Sequence, residues 1–434
     1  MRVLIVNTSE QSGGAAIAAR RLTSALNNHG VKAKMLVRDK ADGSADGNTA
    51  QAFNPTVVKC GHKWLSLWHF LWERIIIFLH MHLKYSRVFQ VDIANSGMDI
   101  TRLREFREAD VIHLHWVNQG MLSLAGLRRI IDSGKPVVWT MHDLWPATAI
   151  CHLTLGCRRF TTACRCCKYL PGGGSNHDLA ARVWKRKQHL LENRSVAFVA
   201  CSRWLQGEAK GSALLRGQTI AQVHNPIDTR LYRPGDKQAA RQAEGLPADR
   251  LLLLFVCQNV AHANKGMSYL CEACQQLAQK YPDLKDRLTL VVLGSHADEV
   301  AGQMPFDVVQ AGYVADEQRL IRLYQAADAF VLPSLSENLP NTIMEALACG
   351  VPCVGFRVGG IPEMIDHRKN GYVADYRSSD DLARGIWWVL CEADRPTLSE
   401  AAVRKVAHTY AQQTVAMRYI EIYQEQMAQK NLKL

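Results

Sequence analysis

The sequence predicts an α/β protein of two doubly wound, parallel-sheet domains facing a central cleft. Three observations predict it. The chain has 434 residues, which is too long for one ordinary core and suits two domains of about 200 residues each. Short apolar runs rich in β-branched residues alternate with helical patterns, as in βαβ units. The alternation then restarts after a stretch punctuated by proline and glycine.

In the first half the predicted strands are Arg2–Asn7, Lys32–Arg38, Asp110–Trp116, Pro136–His142, Ala197–Ser202 and Ile220–Asn225. Each is continuously apolar and bounded by polar residues, as expected of strands covered on both faces. The second series runs Leu251–Gln258, Leu288–Gly294, Val308–Val314, Asp328–Pro333, Pro352–Val358 and Gly371–Asp375. Between them, Asn225-Pro226-Ile227-Asp228 and Arg233-Pro234-Gly235-Asp236 read as a linker. The expected domains are 1–228 and 229–405. A C-terminal helical segment, Ser399–Lys430, supplies a last part, 406–434, that packs back on the first domain. In such sheets ligands bind beyond the carboxyl ends of the strands.

Hydrophobic residues make up 48 % and charged residues 21 % of the chain, so neither disorder nor a coiled coil is indicated. Met1 leads straight into Arg-Val-Leu-Ile-Val-Asn, a strand with no cleavage site, and a cytoplasmic chain is expected. In a reducing compartment the thirteen cysteines read as thiols or metal ligands. The net charge of +12 is uneven. Residues 1–230 hold 31 Lys and Arg against 16 Asp and Glu, and residues 231–434 hold 21 against 24. A basic first half suits an anionic partner. Without a helix-turn-helix or RNA-binding signature, an anionic membrane fits better than nucleic acid.

The richest stretch is Ser334-Leu335-Ser336-Glu337-Asn338-Leu339-Pro340-Asn341-Thr342-Ile343-Met344-Glu345-Ala346-Leu347-Ala348-Cys349-Gly350-Val351-Pro352. A strand runs into a polar turn and then a helix from Pro340 to Gly350, with proline at its start and glycine past its end. Backbone N–H groups around Asn338, Leu339 and Asn341 form a positive helix end able to bind phosphate. A nucleoside diphosphate there brings Glu337 near a sugar and Glu345 near a ribose.

This stretch resembles the E-x7-E signature of the retaining GT-B glycosyltransferases of family 4, group 1, which include sucrose synthase and bacterial mannosyltransferases. The resemblance covers nearly the whole chain: Gly13-Gly14, His142, Ser202-Arg203-Trp204, Asn225-Pro226-Ile227-Asp228, Lys265 and Glu337–Gly360. It implies a GT-B fold. Gly359-Gly360 resembles the family's glycine-rich turn, which would set Gly360 at the donor; an ordinary tight turn is the alternative, and Glu363 reads as a cap of the helix that follows. Lys265 resembles the lysine that contacts the donor diphosphate. The family's arginine five residues earlier is Val260 here, and Gln258 and Asn259 lie beside it.

In the first half, Gly13-Gly14 follows the first strand and opens a helix over Ala15–Leu26. The resemblance sets this turn beside donor phosphate and acceptor, and sets His142 against the donor sugar. His113 and His115 share a face of the preceding strand and read as core or supporting residues. Cys151, Cys157, Cys164 and Cys167, with Cys166 nearby, lie in an insertion over 145–175. The Cys-x2-Cys portion has metal-ligand spacing, so free thiols and a structural zinc are both open. Sugar transferases of the colanic-acid type resemble this chain in carrying a Cys-rich insertion. Trp64, Trp68 and Trp72 recur every four residues in a long apolar segment interrupted by Glu73 and Arg74. An interfacial helix and a core-packing helix both remain open.

The resemblance thus implies a retaining glycosyltransferase. It would move a sugar from a UDP- or GDP-sugar to a glycan or lipid-linked acceptor in exopolysaccharide, capsule or lipopolysaccharide synthesis. Catalysis would need no metal or other cofactor, and the protein would sit peripherally on the cytoplasmic face of the inner membrane. Glu337, Lys265 and His142 are the candidate catalytic residues. A non-catalytic nucleotide-sugar-binding subunit and an epimerase on the same fold remain as alternatives.

Overall fold

The computed structural model describes residues 1–41, 56–83 and 88–432. The chain forms two compact units, Met1–Pro226 together with Val415–Leu434, and Ile227–Thr414.

The first unit is a seven-stranded parallel sheet: β1 (Arg2–Ser9), β2 (Lys32–Asp39), β3 (Val57–Lys59), β4 (Val111–Leu114), β5 (Val137–Met141), β6 (Ala197–Ala200) and β7 (Thr219–Gln222). Its spatial order is β3-β2-β1-β4-β5-β6-β7. Leu4, Ile5 and Val6 of β1 are fully buried, which is why this strand reads as an unbroken apolar run. β3 has no counterpart among the predicted strands. Its three residues at the sheet edge are too few to show a period.

The second unit has six parallel strands: β8 (Leu251–Asn259), β9 (Leu288–Ser295), β10 (Asp307–Gly312), β11 (Ala329–Leu332), β12 (Cys353–Phe356) and β13 (Gly371–Ala374). Their order is β10-β9-β8-β11-β12-β13. In each sheet the strand order reverses once: between β1 and β4 in the first, between β8 and β11 in the second. At such switch points neighbouring loops diverge to opposite faces and leave a crevice at the strand ends.

The C-terminal segment departs from the expected single helix. Two helices form, Arg395–Thr409 and Gln412–Asn431. The break lies where the chain bridges Ile227: the Ile227 N–H donates to the Tyr410 carbonyl at 2.8 Å, and the Gln412 N–H donates to the Ile227 carbonyl at 3.1 Å. The second helix joins the first unit's core through Val415, Ala416, Tyr419 and Tyr423.

Candidate active site

In the second unit the candidate residues converge on the β8/β11 switch point. After β8 the chain makes a 3-10 turn, Ala263–Lys265, and reverses at Gly266 into the helix Met267–Lys280. Gly266 has φ +69°, and a Cβ there would stand 1.8 Å from the Pro333 carbonyl oxygen, so only glycine lets this loop touch the one after β11. Across that contact the Leu335 N–H donates to the Asn264 carbonyl at 2.8 Å. Asn264 Nδ2 donates to the Ser336 carbonyl at 2.8 Å.

The contact delivers Lys265 Nζ to Glu337 Oε1 at 2.5 Å. Burial opposes the charge on Lys265, but the Glu337 carboxylate outweighs it and holds the ammonium above its ordinary pKa. The pair stays partly open to solvent, with side-chain exposures of 29 % and 15 %, so a ligand can reach it.

A third loop supports the same turn. The predicted contact residue Gly360 donates its N–H to the Asn338 carbonyl at 2.9 Å. The preceding Gly359 carries the conformational constraint: φ is +57°, and a Cβ would fall 1.6 Å from the Glu337 carbonyl oxygen. Tyr376 donates its hydroxyl to the Leu335 carbonyl at 3.0 Å. Leu339 is buried beneath the turn.

The helix Asn341–Ala348 begins at Pro340, which offers no side-chain cap of its own. It ends as expected at Gly350, φ +77°, with the Val351 N–H donating back to the Ala346 carbonyl at 2.9 Å. Glu345 lies inside this helix and is buried. Its Oε2 accepts a hydrogen bond from the Tyr324 hydroxyl at 2.9 Å. Val260, where the resembling family carries an arginine, is buried, and its N–H donates to the Ser295 carbonyl. Gln258 and Asn259 are exposed beside it.

In the first unit, β1, β4 and β5 bring their candidates to one end of the sheet. Gly13, φ +88°, is the N-cap residue of the helix Gly14–Asn28. Thr8 bonds the Trp116 carbonyl through both its N–H (2.8 Å) and its hydroxyl (3.0 Å), which ties the end of β1 to that of β4. His142 follows β5, and its Nε2 lies 2.9 Å from Nδ1 of the buried His115. His113, one layer deeper, is bonded to Tyr423 (2.7 Å) and Thr140 (2.8 Å). Burial lowers all three imidazoles, His142 to about 4 and His113 to about 3, so they are neutral at pH 7.

Beside this stack stands a charged network that pattern reading missed. His152 bridges two carboxylates, Nδ1 to Asp143 Oδ2 at 2.7 Å and Nε2 to Asp92 Oδ2 at 2.6 Å. Burial opposes its charge, yet Asp143 and Asp92 raise it to about 10. Asp92 also pairs with Arg74. The only sequence cue was Asp143 adjoining His142, because the partners lie far apart along the chain.

The insertion's cysteines form no disulfide among the described residues. Cys151, Cys157, Cys164 and Cys167 are all free thiols. Among the described residues no three or more His, Cys, Asp or Glu side chains are gathered as metal ligands. Other bonds fix the insertion: Asp178 Oδ2 accepts the Cys167 N–H at 2.8 Å, and Arg159 caps the Arg165 and Cys166 carbonyls. Burial pushes Cys151 up to about 11 and Cys164 up to about 12, which keeps both protonated.

Two tandem parallel-sheet domains, each with candidate residues at its switch point, define the GT-B class of fold. Residues 12–231 match the profile of Glycosyltransferase Family 4, and residues 250–392 match that of Glycosyl transferases group 1. The chain belongs to glycosyltransferase family 4. It is 32 % identical over 178 residues to D-inositol 3-phosphate glycosyltransferase 2 of Catenulispora acidiphila, a match spanning 38 % of this chain and 41 % of that relative's length. It is 25 % identical over 333 residues to the putative colanic acid biosynthesis glycosyl transferase WcaC of Escherichia coli, covering 72 % of this chain and 75 % of that protein. The crystal structure of Anabaena Alr3699/HepE in complex with UDP-glucose superposes with a TM-score of 0.62. That match covers 98 % of this chain and all of the other at 17 % identity, a likeness of fold alone.

Proposed function

We propose that this chain transfers a glycosyl group, with retention, from a UDP- or GDP-linked sugar to a glycan or lipid-linked acceptor in cell-surface polysaccharide assembly. The observation that carries the reading is the Lys265–Glu337 pair, 2.5 Å long and partly open to solvent, beside the start of the helix Asn341–Ala348. An incoming diphosphate offers Lys265 a stronger anion than Glu337. The ammonium and the helix N–H groups then neutralise the charge that grows on the leaving diphosphate. Glu337, released from its ion pair, accepts hydrogen bonds from donor sugar hydroxyls. Glu345, oriented by Tyr324, holds the ribose. Neutral His142 bonds a sugar hydroxyl, which an imidazolium would do only as a donor. The acceptor attacks from the face the diphosphate leaves, and a departing phosphate oxygen takes its proton. Lys265 and the helix end thus fill the electrostatic role a divalent ion has in other transferases. The relation to WcaC supports the polysaccharide setting, and the UDP-glucose complex of HepE supports a nucleotide-sugar donor.

The test is incubation of the purified protein with sugar-labelled UDP and GDP donors and saccharide or polyprenyl-linked acceptors, read by product NMR. Label should move to acceptor in the anomeric configuration of the donor. Donor that binds and stays intact with every acceptor would instead mark a binding subunit. Recovery of its epimer would mark an epimerase.

A further inference from the structure

A surface helix ordinarily buries its apolar stripe and shows its polar one to water. The helix Lys63–His80 does the reverse. Trp64 is 81 % exposed, Trp68 58 % and Trp72 41 %, and Leu65, Leu67, Leu71, Ile75 and Leu79 are exposed with them. At 100° per residue these eight side chains fall within an arc of about 160°, with no polar residue among them. The polar residues Ser66, Glu73 and Arg74 face inward and are buried, together with Ile77. Trp68 and Trp72 stack at 5.8 Å, so the stripe is a continuous apolar surface.

The inversion is locked. Glu73 Oε1 accepts the N–H groups of Ile93 (2.9 Å) and Ala94 (2.6 Å). Arg74 pairs with Asp92 and donates to the Val88 carbonyl at 2.7 Å. A Cβ on Gly120 would lie 2.6 Å from the Phe70 nitrogen, so backbone meets backbone on the inner side. Rolling the apolar stripe inward would strip Glu73 and Arg74 of buried partners, at a cost no surface exposure repays.

We propose that this helix lies in the surface of an anionic lipid bilayer, with Trp64, Trp68, Leu71, Trp72, Ile75 and Leu79 inserted among the headgroups. Tryptophan is the residue type most suited to that interface. The helix is entered through exposed Lys59, His62 and Lys63, and its one acidic residue, Glu73, is buried. It belongs to the strongly basic part of the chain, with 31 Lys and Arg against 16 Asp and Glu over residues 1–230. That charge favours an anionic surface and opposes a second copy of the same unit. Among the described residues no helix is long and apolar enough to cross a membrane, which fits a helix lying in the plane. The inference rests on this helix and not on the transferase reading. The two do meet in one network: Arg74 reaches Asp143, next to His142, through Asp92 and His152.

The test is co-sedimentation of the full chain with phosphatidylcholine vesicles with and without phosphatidylglycerol. Binding to the anionic vesicles should exceed that to neutral ones about tenfold and weaken with salt. The triple variant Trp64→Gln, Trp68→Gln, Trp72→Gln should lose it about tenfold or more while keeping its circular dichroism and melting temperature. A second variant, Lys59→Glu with Lys63→Glu, should weaken anionic binding and leave neutral binding unchanged. Failure to sediment, sedimentation indifferent to the tryptophans, or a homodimer that the triple variant dissolves would each overturn the proposal. A soluble-acceptor transfer assay on the same variants should be unchanged, which separates this result from the fate of the catalytic reading.

Discussion

At the switch point of the second sheet the loops present opposite charges in contact, Lys265 against Glu337. At the switch point of the first they present stacked imidazoles, His142 on His115, that burial keeps neutral. The two sheets share one topological plan, so topology did not set this difference. Local solvation did. The Lys265 ammonium has a carboxylate at 2.5 Å and keeps its charge despite burial, whereas burial of the imidazoles outweighs the pull of Asp143 on His142 and they lose theirs. One end suits a phosphate and the other a neutral sugar hydroxyl. Even within the first unit the contrast recurs, since His152 is held protonated by the two carboxylates it touches.

Removing the charge from the second site should break the comparison most. Lys265→Ala is expected to lower kcat about 10²–10³-fold, roughly 2.7–4 kcal/mol of leaving-group stabilisation. The readout is initial rate at saturating donor. A rate within about threefold of the parent would remove Lys265 from the chemistry.

Acid should sharpen the comparison by loosening the first unit. His142 and His113 titrate near 4 and 3 in the fold against 6.5 ordinarily. The unfolded chain therefore takes up protons between 6.5 and about 4 that the folded chain refuses. Stability from these groups is present above 6.5 and is lost as pH falls, by a few kcal/mol in total. His152, raised to about 10, runs the other way: its contribution is whole below 6.5 and fades as pH rises through 10. Hydrogen exchange of β4 and β5 between about pH 7 and 4.5 reports this, with a shallower slope expected in His142→Gln. Equal protection at both pH values would contradict neutral burial.

The smallest effect is expected from Tyr324→Phe. It deletes one hydrogen bond to buried Glu345 and should cost about 1–3 kcal/mol in denaturant melts. It should also raise donor KM more than it lowers kcat. An unchanged KM would mean Glu345 does not depend on Tyr324 for its orientation.

The glycines divide in the same instructive way. Gly360 was legible as part of a turn, but Gly359 bears the positive φ and the 1.6 Å approach to Glu337, a fact that needs both loops in place. Whether the cysteines serve as thiols or as metal ligands was not legible in their spacing. Spacing puts Cys164 and Cys167 close along the chain, yet gathering four sulfurs around one point depends on loops the spacing does not describe. The His152 bridge was invisible because Asp92, Asp143 and His152 carry no shared motif.

The sequence by itself determined the two parallel sheets, because strands buried on both faces must be apolar throughout and the pattern is local. It also determined the Glu337-to-Gly350 turn and helix, where proline, glycine and the two glutamates fall within one short stretch. Only the tertiary structure decided which charges survive burial, which glycine permits contact between loops, and that the tryptophan helix faces outward. Those outcomes depend on the distance between groups far apart in the chain, and electrostatics and steric contact respond to distance in space, not to separation in sequence.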